Sequence, residues 1–208
     1  MNFMITNALA KLKKGKFVIV YDGDEREGEA DLVLPAKYIT PEKIRIMRKD
    51  GGGLVCTAIE KKDADKIGLP FFTDLIEKIK LSKMTCKKTA YGDKPAFSIP
   101  VNHCRVYTGI TDNDRALTIK QLDEIITKKP ERFKREFYTP GHVFLLIGRG
   151  LKNRRGHTEL ALELGKRTGF RVMVLCEMLG NGKALSKKDV KAYAKEHGID
   201  FIEGKDVV

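Results

Sequence analysis

Phe17-Val18-Ile19-Val20-Tyr21-Asp22-Gly23-Asp24-Glu25-Arg26-Glu27-Gly28-Glu29-Ala30-Asp31-Leu32-Val33-Leu34-Pro35 is the stretch on which the chain turns. Its β-branched and aromatic opening, residues 17–21, predicts a buried strand. Its second apolar run, Leu32-Val33-Leu34, stops at Pro35. Between the two, six of the ten residues from Asp22 to Asp31 are carboxylates, and only Arg26 opposes them. The acids therefore stand at a strand end or on a short strand leading back into the core. If residues 25–31 are extended, Glu25, Glu27, Glu29 and Asp31 project to one side, because side chains alternate with period two. Carboxylates that close need solvent, a basic partner or a hard cation. A solvated acidic turn is the plain alternative. The apolar flanks and the basic remainder of the chain favour a Mg²⁺-type ion.

Outward from that stretch, a length of 208 residues with no linker, repeat or low-complexity tract predicts one domain, residues 1–208. The chain is 42% hydrophobic and 33% charged, with a formal net charge of +12. That charge invites a nucleic-acid reading. The basic residues, however, come in short scattered groups such as Lys61-Lys62, Lys87-Lys88 and Arg154-Arg155, with no nucleic-acid module, so no nucleic-acid partner is expected. A general positive field suits anionic small molecules. Four separated cysteines (Cys56, Cys86, Cys104, Cys176) form no Cys-x-x-Cys pair and read as reduced thiols of a cytoplasmic protein. The N-terminus has no signal-peptide pattern, and no run approaches the ~20 apolar residues that span a bilayer.

In order, residues 3–14 predict an amphipathic helix carrying Phe3, Leu9 and Leu12, ended by Gly15. Pro41 opens a second helix that buries Ile44 and Met47 and stops at Gly51-Gly52-Gly53. A buried strand at 54–59 and a short charged helix at 60–67 follow. Residues 82–115 lack helical periodicity and read as short strands, 96–101 and 104–107, ending in a polar loop, Thr108 to Arg115, before a helix from Leu117. In that loop Asp114-Arg115 is either a cap and ion pair or a site lining. His142 stands at the mouth of a buried strand, 143–147. Arg154-Arg155-Gly156-His157-Thr158-Glu159 leads into a helix with Thr158 as its N-cap; free amides and the positive dipole end make that mouth an anion site beside two arginines. His157 offers a metal-binding nitrogen there. The strand 171–176 ends in Glu177, a carboxylate that is costly at that place unless solvated or used, hence an acid/base candidate. A helix over 186–197, capped by Ser186, and a last strand at 199–202 close the chain.

These residues together describe a metal-assisted site for a small phosphorylated substrate, and by themselves leave an isomerase, a lyase and a hydrolase open. Three of the motifs, Arg26-Glu27-Gly28-Glu29-Ala30-Asp31, Pro140-Gly141-His142 and Arg154-Arg155-Gly156-His157-Thr158-Glu159, with the Thr108-Gly109-Ile110 to Asp114-Arg115-Ala116 loop, closely resemble 3,4-dihydroxy-2-butanone 4-phosphate synthase of riboflavin biosynthesis. The resemblance runs from about residue 8 to 203, to the short, stand-alone form without a fused cyclohydrolase domain.

The resemblance implies an α+β fold, a single compact domain with a mixed β-sheet covered by helices. It implies a homodimer with sites at the subunit interface, and a Mg²⁺-dependent (or Mn²⁺-dependent) lyase acting on D-ribulose 5-phosphate. Glu27 and His157 would be the protein ligands of the cation. Arg26, Glu27, Asp31 and the segment Arg154, Arg155, Gly156, His157 and Thr158 would hold substrate. His142, Glu177 and Asp31 would be the catalytic groups, and Cys56 would line the site. A phosphatase or isomerase acting on a small phosphosugar, or a nucleic-acid-binding protein, is the competing reading.

Overall fold

The acidic stretch begins where one strand of a sheet ends and stops where the next begins. In the computed structural model, which describes residues 3–79, 81–84, 89 and 92–208 (without the side chains of Phe3 and Ser82), the elements run in the following order. Helix α1 (Phe3–Lys13) precedes β1 (Val18–Tyr21) and β2 (Ala30–Pro35), then α2 (Pro41–Asp50), β3 (Cys56–Glu60), α3 (Lys61–Ile67) and α4 (Phe72–Lys78). The second half holds β4 (Val101–His103), α5 (Asp112–Lys128), α6 (Phe133–Glu136), β5 (Phe137–Gly148), α7 (His157–Thr168), β6 (Val172–Glu177), α8 (Lys187–Glu196), β7 (Asp200–Glu203) and α9 (Gly204–Val207). Cys86 and the Lys87-Lys88 pair lie outside the described residues.

The strands form one mixed seven-stranded sheet, ordered β4-β5-β3-β6-β2-β1-β7. The β3–β5 and β1–β7 pairs are parallel and the other pairs antiparallel. Strand alternation splits the core in two. Leu32, Leu34, Val174 and Cys176 face a layer made with Ile44, Met47, Ile119, Leu122 and Val190 of α2, α5 and α8. Val33, Cys56, Leu146, Met173 and Leu175 face the opposite layer, with Ile5, Ala8 and Leu12 of α1 and Leu160, Ala161 and Leu164 of α7. Period two therefore carries Asp31 and Glu177 to the α7 face. The register pairs them directly, Asp31 opposite Glu177 at the ends of β2 and β6.

Several elements differ from the sequence expectation. The acidic stretch is not extended: residues 24–27 form a turn, and only Ala30 and Asp31 belong to a strand. The core face of α1 is Ile5, Ala8 and Leu12, with Leu9 only half-buried. Residues 104–107 turn rather than pair, and of the expected strand 96–101 only a bridge at Phe97 and the start of β4 remain. The helix expected from Leu117 starts at Asp112, because Thr111 caps it by accepting from the Asp114 amide. His142 lies inside β5 rather than at its mouth. The N-cap of α7 is Gly156, not Thr158. Helix α4 has no counterpart in the sequence reading.

Candidate active site

The acidic loop is shaped by its first residue. Asp22, buried at the end of β1, accepts from the amides of Glu27 (2.9 Å) and Glu29 (3.0 Å), while its own amide donates to the Glu29 carbonyl (3.1 Å). Gly28, with φ +70°, supplies the left-handed step that lets the loop close. This closure aims Glu27 inward, while Glu25 stays exposed. Asp22, quoted in the acidic run but given no role there, thus sets where the loop's carboxylates stand.

Glu27 meets the N-terminus of α7. Its carboxylate is 3.4 Å from the Arg154 guanidinium and 4.0 Å from His157 Nε2, and Asp22 is 3.6 Å from the same nitrogen. Donor atoms of Asp22, Glu27 and His157 lie within 4.8 Å of one another. On the other side of the ring, His157 Nδ1 lies in ion-pair contact with Asp31 Oδ2. Burial alone would depress the His157 pKa, but the carboxylates of Asp31, Asp22 and Glu27 push it up to about 10. The same carboxylate field that favours a proton on the ring favours a divalent cation in its place at Nε2.

Arg154 is also buried. It bonds Glu159 through Nη1 (2.7 Å) and lies 3.4 Å from both Glu27 and Asp93. Gly156 allows this, because a Cβ there would overlap the folded-back guanidinium. Arg155 is exposed. Arg26 pairs with Asp93 at 2.7 Å, so Asp93 ties two arginines of the site to the loop before β4. Neither Asp93 nor Glu159 carried a signal in the sequence as a site residue. Asp93 is one acid in a polar loop, and the role of Glu159 depends on Arg154 being buried over it.

These groups surround a cleft of about 160 Å³ on the α7 face, lined by Glu27, Asp31, Cys56, Arg154, His157, Thr158 and Glu177 among others. Burial, reinforced by the neighbouring Asp31 carboxylate, pushes the Glu177 pKa up to about 7, inside the range where a group both takes and returns protons at neutral pH. Burial likewise pushes the Cys56 thiol up, which makes it a neutral wall rather than a nucleophile. The mouth of α7 has no side-chain cap, so its first amides are not satisfied by the Gly156 position.

The donor set fits a hard divalent cation. Asp31 is fully buried, and beyond the contact of its Oδ2 with His157 Nδ1, neither its oxygens nor the ring nitrogens of His157 find a hydrogen-bond partner among the described residues. Buried carboxylates of this density call for positive charge.

His142 is elsewhere. It is exposed on β5, does not line the cleft of its own chain, and is held by Asn102 of β4. The polar loop from Thr108 to Arg115 stands beside it. There Asp114 accepts from the amides of Tyr107 (3.2 Å), Thr108 (3.2 Å) and Gly109 (3.0 Å), which makes Asp114 the organiser of that loop. Arg115 is ion-paired with Asp112 at 3.4 Å.

A profile of the 3,4-dihydroxy-2-butanone 4-phosphate synthases matches residues 6–208. The chain belongs to that family. It is 42% identical to the 3,4-dihydroxy-2-butanone 4-phosphate synthase of Methanothermobacter thermautotrophicus over 99% of this chain and 94% of that protein. To the riboflavin biosynthesis protein RibBA of Bacillus mycoides it is 35% identical, over 98% of this chain but 48% of the longer relative. A solved 3,4-dihydroxy-2-butanone 4-phosphate synthase in complex with two magnesium ions has a TM-score of 0.81 at 28% identity, covering 98% of this chain and 94% of that one. The Candida albicans enzyme gives a TM-score of 0.77 at 31% identity, over 97% and 93% of the two chains. The fold described above is thus the synthase fold. The family converts ribulose 5-phosphate in riboflavin biosynthesis. Among the described residues no helix is long and apolar enough to cross a membrane.

Proposed function

We propose that residues 1–208 act as one catalytic domain and convert D-ribulose 5-phosphate to 3,4-dihydroxy-2-butanone 4-phosphate and formate at the cleft between the acidic loop and the mouth of α7. The observation that carries the assignment is the convergence of Asp22, Glu27 and His157 within 4.8 Å beside a fully buried Asp31 that lies against the other side of the His157 ring. Glu27 and His157 would hold the cation, Mg²⁺ or Mn²⁺, with Asp22 fixing Glu27 through the loop amides. When bound, such an ion polarises neighbouring carbonyl and hydroxyl oxygens and lowers the barrier to removing a proton α to the ketone.

Glu177 is the group we assign to that proton, because its raised pKa keeps both protonation states accessible near neutrality. Asp31 holds the His157 ring from the Nδ1 side. The uncapped start of α7 and Arg154, both on the cleft, take the phosphate, with Arg26 behind them through Asp93. Arg154 rather than Arg155 is the arginine we assign to it, since Arg155 does not line the cleft.

We assign the working form to a cytoplasmic homodimer in which His142 completes the site of the other copy. Two observations support it: His142 is exposed outside its own cleft, and an apolar groove of about 450 Å³, with Phe72, Ile76, Phe97 and Phe144 in its walls, shares Pro95 and Phe97 with that cleft.

The test is formate release from D-ribulose 5-phosphate with Mg²⁺ and again with EDTA. Formate that requires the metal and vanishes in both Glu27→Gln and His157→Ala, with circular dichroism unchanged, is the expected result. Inorganic phosphate without formate identifies a phosphatase, and full activity in either variant removes the metal assignment.

A further inference from the structure

Asn102 is 2% exposed, and its carboxamide is fully committed. The His142 amide lies 2.9 Å from one end of it. A backbone N–H only donates, so that end is the carbonyl oxygen, Oδ1. The other end is therefore the NH₂ group. It lies 3.1 Å from the Tyr138 hydroxyl and 3.2 Å from His142 Nδ1. A carboxamide nitrogen has two hydrogens and no lone pair to offer. One hydrogen goes to the Tyr138 oxygen and the other to Nδ1, which must present its lone pair. The neutral ring then carries its proton on Nε2.

Three features stop the carboxamide from turning over. Val101 pairs with Val143 while Asn102 pairs with Tyr138, so Thr139 to His142 bulge out of β5 above the Asn102 side chain. Bulges of this kind re-aim side chains at functional edges. Gly109, at φ +93°, packs on the other side, where a Cβ would overlap the carboxamide. Its loop is in turn fixed by the three amides that Asp114 accepts. A flipped amide would set the donating His142 N–H against an NH₂ group, two donors face to face, which costs about 1–3 kcal/mol for each buried group left unsatisfied.

We propose that Asn102 is a positioning residue: wedged beneath the Thr139–His142 bulge, it holds His142 with the ring proton on Nε2 and so makes the neutral imidazole a hydrogen-bond donor at that nitrogen. The part this plays in turnover rests on the assignment of His142 to catalysis made above; the tautomer itself does not.

The test is long-range ¹H–¹⁵N correlation NMR of the full chain labelled at histidine. Spectra are taken at the alkaline end of a pH series, where the signal no longer moves with pH, and His142→Ala identifies the signal. The wild type is expected to show a bare Nδ1 and a protonated Nε2. Asn102→Asp puts an acceptor in place of the NH₂ group and is expected to move the proton to Nδ1. Asn102→Leu, which leaves the ring unguided, is expected to lower kcat on the order of 10²-fold while KM stays within about twofold. A protonated Nδ1 in the wild type, or the same tautomer in Asn102→Asp, overturns the proposal; the wild-type spectrum decides even if a variant fails to fold. Full activity of His142→Ala together with the expected tautomer would leave the Asn102 geometry standing and remove His142 from the reaction. An inactive His142→Ala with a protonated Nδ1 would do the reverse.

Discussion

Arg154 and Arg155 are neighbours in the sequence and occupy opposite environments. The Arg154 side chain is 7% exposed and its partner Glu159 is 0% exposed, so the pair is a buried ion pair extended to Glu27 and Asp93. Removing one partner of such a pair leaves an uncompensated buried charge, which costs about 3–5 kcal/mol. Arg154→Leu is therefore expected to lower the urea unfolding free energy by about that amount, whereas Arg155→Ala, on the surface, should shift it by no more than about 0.5 kcal/mol. Arg155→Ala should also leave KM for D-ribulose 5-phosphate within about twofold, because that side chain is off the cleft. Equal destabilisation by the two variants would refute the buried network. The doublet could not be ranked from sequence, because what separates its members is the room that Gly156 leaves above it, a property of the folded turn. Glu177 is the opposite case: an acid at the end of an apolar strand is conspicuous in sequence, and its raised pKa follows from that burial.

At the scale of elements, helix α5 carries a charge that the fold handles poorly. Burial raises the Asp123 pKa from about 3.8 to about 6, against the opposing pull of Lys37, Lys128 and Arg171. A carboxyl whose folded pKa lies above its unfolded value gives stability that is complete below about pH 4 and is lost as pH rises through about 6. The wild type should therefore lose stability across that interval, and Asp123→Asn should lose less. At pH 7.5 the variant should be more stable by about 1–2 kcal/mol, a figure reduced for partial exposure to solvent, with the difference closing at pH 4. Urea midpoints at the two pH values measure it, and parallel profiles would refute it. The start of the same helix shows why the middle of the chain was hard to read. Asp112, Asn113 and Asp114 look like loop residues, yet acids suit a first turn behind a Thr cap. The acidic stretch misled in another way. Period two applies only to paired backbone, and Asp22 had already drawn residues 27 and 29 into a turn. The central strands were plain, because buried β-branched runs have few other uses, whereas the expected strand at 104–107 is a turn. The pairing that sets Asp31 opposite Glu177 joins residues far apart in sequence, and local pattern carries no record of it.

For the whole molecule, the motifs divide into two groups at different places on the sheet. The acidic loop and α7 surround the cleft under β2 and β6, while His142, Asn102 and the Thr108–Asp114 loop gather at the β4–β5 edge. A chain that uses both groups in one reaction must bring together two edges that its own fold keeps apart, and a twofold pair of chains does so without deforming either. This predicts complementation. His157→Ala retains a normal β4–β5 edge, and His142→Ala retains a normal cleft. Each should be inactive alone. After the two are mixed, unfolded and refolded together, half of the dimers are mixed, and each mixed dimer holds one site with both histidines intact. Activity should return to about a quarter of the wild-type value at equal total protein. The restored activity should require a divalent cation, since its one intact cleft is the one proposed to hold that cation at Glu27 and His157. A mixture as inactive as its components, with dimers present by sedimentation, would mean that both histidines serve the same chain. Activity of His142→Ala alone would mean that His142 has no part in turnover.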